Sequence, residues 1–134
     1  MRVTGLDFVS YPTQDLERSK TFYSEVIGLR MLTPPGDAWP EFDLGDGSVL
    51  ALIEPEKIGQ PFSPVLSGIA LHVENVETAT EEMRARGITI HHAMDSGVCK
   101  MTFLSDPDGN ALILHHRYAP EEIRCSPASD SSKA

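Results

Sequence analysis

Helix caps, helix-ending glycines and tight turns occur twice along this chain at a nearly constant offset. Asp15 and Asn75 are 60 residues apart, Gly28 and Gly87 are 59 apart, and Gly47 and Gly109 are 62 apart. A pattern repeating at this period describes one supersecondary unit built twice. In the first copy, alternation predicts a strand over residues 3–11, and Asp15 caps a helix reaching about residue 27. Phe22, Tyr23 and Val26 give that helix an apolar stripe, Glu17, Arg18 and Lys20 its solvated face, and Gly28 its end. Three strands should follow, over residues 29–33, 39–44 and 49–54, the last two joined by an Asp46, Gly47 turn. The second copy reads as a strand over 68–73, a helix capped by Asn75 and carrying Val76, Ala79 and Met83, then strands over 88–93, 98–104 and 111–116. Asp106, Pro107, Asp108 and Gly109 form its last turn. The fold class is therefore α+β, with two tandem βαβββ modules. They are expected to make one domain over residues 1–120: module one 1–57, a Pro- and Gly-rich linker 58–66, and module two 67–120. Residues 121–134 are polar and Ser-rich, are expected to be disordered, and receive no function.

Charge and cysteine usage narrow the function classes. A net charge of -9 with only 11 Lys and Arg, none in a run, argues against a nucleic-acid partner, which needs a clustered basic face. Cys99 in a strand and Cys125 in the tail make neither a disulfide framework nor a metal-ligand spacing, which fits a reducing compartment. The first residues, MRVTGLDFVS, lack the apolar core of a signal peptide, and no apolar run approaches the roughly 18 residues needed to span a bilayer. A cytoplasmic protein without a membrane partner is expected.

Asp15, Leu16, Glu17, Arg18 and Ser19, then Phe22 and Tyr23, then Ile27, Gly28 and Leu29 resemble the first-helix signature of the vicinal oxygen chelate superfamily. The turn from Asp106 to Asn110 resembles its last hairpin. That superfamily includes glyoxalases, extradiol dioxygenases, fosfomycin-resistance enzymes and bleomycin-resistance proteins. The resemblance, over residues 3 to about 118, implies a curled mixed sheet with a cup-shaped cavity, and a homodimer. It also implies metal ligands on the first and last strand of each module, drawn from His, Gln or Glu. Those positions fall on Phe8, Ala51, Gly68 and Ile113, none of which can donate a lone pair. No metal is expected there, and no cofactor.

If Phe8 and Gly68 face the cup, period-two alternation also places Ser10, Ala70 and His72 there, and puts Ile53 and His115 beside Ala51 and Ile113. His72 and His115 should then lie within about 8 Å of each other, given strand spacing and rise. They are candidates for an acid–base pair, or for hydrogen-bonding a ligand. Of His91 and His92 one should point in and one out, and His116 should face the helices. No His-x-His or His-x3-His spacing shares a face, so these histidines do not suggest zinc. Trp39 could stack on a planar ligand or anchor a loop. Met101 shares a face with Cys99 and Phe103, lining the cup or packing in the core. The reading is metal-free binding of an apolar or aromatic small molecule. The alternative is a glyoxalase-like lyase or isomerase, or a dioxygenase, dependent on a metal or using His72 and His115 as acid and base.

Overall fold

The computed structural model describes residues 1–34, 36 and 39–120; the polar tail and Cys125 lie outside them. By its contacts the chain forms two units. One comprises Met1–Leu66 together with Asp106–Asn110; the other comprises Ser67–Ser105 and the chain from Ala111 on.

The first unit is a βαββ arrangement with a three-stranded mixed sheet. Strand β1 (Phe8–Pro12) runs parallel to β3 (Val49–Ile53), and β2 (Glu41–Asp43) pairs antiparallel with β3 on its other side. Helix α1 (Leu16–Thr21) starts where the Asp15 carboxylate accepts the Arg18 N–H at 3.1 Å, and continues as a π-helical turn over Phe22–Val26. Its buried Tyr23 makes ring contacts with Tyr11, Phe22 and Phe42, so alternate residues of β1 and β2 pack against the helix.

Among the described residues, the strand expected over residues 29–33 is reduced to a single bridge between Met31 and Phe42. The helix end retains Leu29, whose N–H donates to the Tyr23 carbonyl at 2.9 Å, and Pro34 has no N–H with which to extend a ladder. Pro40 likewise confines β2 to three residues. Pairing with β3 starts β1 at Phe8, leaving residues 3–7 exposed outside any strand.

The turn between the last two strands completes this unit. Asp106 Oδ1 accepts the N–H groups of Asp108 and Asn110, each at 2.9 Å, while Oδ2 accepts the Tyr23 hydroxyl at 2.6 Å. The Asn110 side chain donates to the Pro12 carbonyl and accepts from the Val65 N–H, both at 2.8 Å. Asp108 Oδ2 accepts from the hydroxyls of Thr13 and Ser19 at 2.6 and 2.8 Å; Oδ1 accepts from the Gln14 N–H at 2.9 Å and from Arg18 Nη2 at 3.1 Å. Burial, reinforced by the neighbouring Asp106 carboxylate, pushes the Tyr23 hydroxyl far above the usual phenol range.

The second unit has a four-stranded sheet in the order β4-β7-β6-β5. Here β4 is Ile69–His72, β5 is Ile90–Asp95, β6 is Cys99–Ser105 and β7 is Ala111–Arg117, with β4 and β7 parallel and the other pairs antiparallel. Helix α2 (Val76–Ala85), capped by the Asn75 side chain at the Thr78 N–H, packs on β5, β6 and β7. Val76, Met83, Leu104, Leu112 and Leu114 are buried, and the Thr80 and Thr102 hydroxyls share a buried hydrogen bond of 2.8 Å. Each sheet thus has a packed face and an open face.

Candidate functional site

On the first sheet the open face is set by the residues alternating with Val9, Tyr11, Leu50 and Leu52. Phe8 and Ser10 are exposed, Ala51 lies opposite Ser10 in register but is buried, and Ile53 is half-buried. The register adds two carboxylates that the sequence reading did not place: Glu41 pairs with Ala51, and Asp43 with Val49. Arg30 Nη2 donates to Asp43 at 3.2 Å. Trp39 precedes β2 and is 50% exposed.

On the second sheet the register pairs Ala70 with Ile113 and His72 with His115, and sets Met101 opposite His115 and Phe103 opposite Ile113. Met101 therefore belongs to the open face. Burial of His115, with the positive fields of His72, His116 and Arg117, lowers its pKa below the ordinary imidazole value and favours a neutral ring. The bulge between Ile90 and His92 breaks the alternation expected for the adjacent histidines. His92 packs against Phe103 with ring centroids 5.9 Å apart, and His91 Nε2 hydrogen-bonds the Ser105 hydroxyl at 2.8 Å, so both reach side chains of the open face.

His72 departs from a simple pairing with His115. It is the last residue of β4, an edge strand; its Nε2 donates to Glu74 at 3.3 Å, and its ring centroid lies 5.5 Å from that of His116. His116 follows Leu112 and Leu114 on the α2 side, where it lines a cleft of about 440 Å³ with Glu74, Glu77, Asp95, Lys100 and Tyr118. A second cleft of about 370 Å³ runs between α2 and the β5–β6 hairpin, past Thr80, Glu81, Arg84 and Lys100.

The profile of the Glyoxalase/Bleomycin resistance protein/Dioxygenase superfamily matches residues 5–114. The chain belongs to that superfamily. Among solved structures, it is similar to the antibiotic binding protein TnmS3 from Streptomyces sp. CB03234, with 26% identity, a TM-score of 0.73, and coverage of 87% of this chain and 98% of the other. A glyoxalase/bleomycin resistance protein from the same organism is also 26% identical, with a TM-score of 0.69 and coverage of 84% and 100%. The lactoylglutathione lyase of Agrobacterium tumefaciens shares the fold at 17% identity, with a TM-score of 0.73 and coverage of 86% and 95%.

Within the glyoxalase/bleomycin resistance protein/dioxygenase fold, the four positions expected to hold a metal do not fit one. Phe8, Ala51 and Ile113 offer only carbon, and Gly68 has no room for a ligand. Gly68 has φ +76°, and a Cβ added there would lie 2.5 Å from the Ala111 carbonyl oxygen. Among the described residues, no helix is long and apolar enough to cross a membrane.

Proposed function

We propose that this protein binds an apolar or aromatic small molecule on the open sheet faces, without a metal at the superfamily's usual ligand positions. The closed backbone at Gly68, with carbon-only side chains at Phe8, Ala51 and Ile113, carries the proposal, because a metal-dependent reaction needs donors at those places. The likeness to a solved antibiotic binding protein supports binding as the outcome. On the first unit Phe8, Ala51 and Ile53 offer apolar contact, Trp39 a stacking plate and Ser10 a polar group; on the second, Ala70, Met101 and Ile113 offer apolar contact, and His72 and His115 polar groups that orient a ligand. A cytoplasmic homodimer is the working form in this reading.

The single tryptophan makes the test direct. Trp39 fluorescence is followed while EDTA-treated protein is titrated with bleomycin and, separately, with 1-anilinonaphthalene-8-sulfonate. Saturable binding of either probe in EDTA is expected; binding of both only after a divalent metal is restored would overturn the reading.

The neutral ring of His115 beside His72 favours one second reading, a metal-free lyase or isomerase using these imidazoles for proton transfer to and from a carbonyl substrate. His115→Ala would then abolish turnover of a glutathione hemithioacetal, whereas under the binding reading neither protein turns it over.

A further inference from the structure

The end of β4 gathers three metal-binding side chains at positions unrelated to Phe8, Ala51, Gly68 and Ile113. One ring nitrogen each of His72 and His116 and a carboxylate oxygen of Glu74 all lie within 4.8 Å of one another. The backbone produces this grouping: His72 ends β4, the Val73 N–H donates to the His115 carbonyl at 3.0 Å, and that bond holds residue 74 beside the strand that carries His116. All three belong to the second unit.

We propose that His72, Glu74 and His116 form a binding site for a divalent cation of the zinc class. Two imidazole nitrogens and one carboxylate oxygen match the three-ligand sets that hold zinc while leaving a fourth position open. The same nitrogens disfavour calcium and magnesium, which take oxygen ligands. Among the described residues, His116 Nδ1 is shut off from water and has no hydrogen-bond partner. A buried ring nitrogen without a partner is unusual, and a cation coordinated by that nitrogen would supply the missing interaction.

The adjustment required is small. Donors around tetrahedral zinc lie roughly 3.4 Å apart at metal–ligand distances of about 2.1 Å. His72 and Glu74 are exposed side chains at a strand end, free to close the difference by rotating. Their mutual hydrogen bond, 3.3 Å long, gives way to two bonds to the metal. The surroundings favour a cation: the adjoining cleft carries Glu77 and Asp95, whose own partners are Lys100 and the Tyr118 hydroxyl. Those two carboxylates contribute field, and the direct ligands are left to the triad.

Untagged, EDTA-treated full-length protein titrated with Co²⁺ should develop the visible absorption of a low-symmetry, four-coordinate site. Zn²⁺ should displace the Co²⁺ at one equivalent, with the displacement followed by calorimetry. Glu74→Gln and His116→Ala should each weaken binding by roughly tenfold or more, while His91→Ala leaves it unchanged. If His116→Ala does not fold by circular dichroism, His72→Asn, at an exposed position, takes its place. Absence of wild-type binding at metal concentrations up to about a millimolar, or unchanged affinity in Glu74→Gln together with the histidine variant, would overturn the site. The probe titrations in EDTA are independent of this result, so loss of the cation site and loss of the small-molecule reading are told apart.

Discussion

Gly68 stands so close to Ala111 that a methyl group on its Cα would lie 2.5 Å from the Ala111 carbonyl oxygen. Ile69 and Leu112 are the first paired residues of β4 and β7, so this approach sits where the two parallel strands come together. Gly68→Ala should therefore destabilise twice over. The left-handed backbone alone costs a residue with a Cβ about 1–2 kcal/mol, and the clash adds to it. Urea unfolding should show a lower midpoint, and Gly68→His should unfold more readily still without gaining a cation site at that position.

Tyr23→Phe tests the junction between α1 and the 106–110 turn. It removes the 2.6 Å hydrogen bond to Asp106 and leaves a buried carboxylate with the Asn110 side chain as its remaining side-chain donor among the described residues. A loss of about 1–3 kcal/mol is expected in denaturant titration, with little change in ring packing.

Acid should reveal Asp108. Burial by itself would raise its pKa, but the hydrogen bonds from Thr13, Gln14 and Ser19 and the charge of Arg18 outweigh that and hold it below 3.8. A carboxyl depressed in the folded state contributes stability that is fully present above its unfolded pKa and is lost as pH falls through the folded value. Unfolding midpoints measured from pH 6 down to pH 2 should fall more steeply below about pH 4 in the wild type than in Asp108→Asn. The variant should also be less stable at neutral pH.

His115 has the opposite chemistry and a different window. Its folded pKa lies below 6.5, so between that value and 6.5 the unfolded chain takes up the proton more readily. Its contribution therefore makes the folded state less favourable as pH drops from 7 through 6.5. Imidazole signals followed by NMR should show His115 titrating below 6.5, and His115→Gln should remove this part of the acid sensitivity.

Local signals were legible in the sequence. Asp15 and Asn75 cap the two helices through their side chains, as their positions predict, and Gly28 and Gly87 take φ of +85° and +80° just beyond the helices. These features depend on neighbours within a turn of chain, which is what a residue pattern records. The bulge at His91, the pairing of Glu41 with Ala51, and the meeting of His72, Glu74 and His116 depend instead on which strands pair and in what register. Residues 29–33 show the same limit from the other side. Their composition suits a strand, but the helix end and Pro34 leave only one bridge among the described residues.

The Asp106–Asn110 turn lies late in the chain yet belongs to the unit that begins at Met1. During synthesis on a ribosome, residues 1–66 emerge well before the groups that accept the Tyr23 hydroxyl and the Thr13 and Ser19 hydroxyls. Those hydroxyls therefore lack these partners until most of the second module has been made. A first half expressed from a gene cut between the two modules would lack these bonds, and should unfold at lower denaturant than the whole chain.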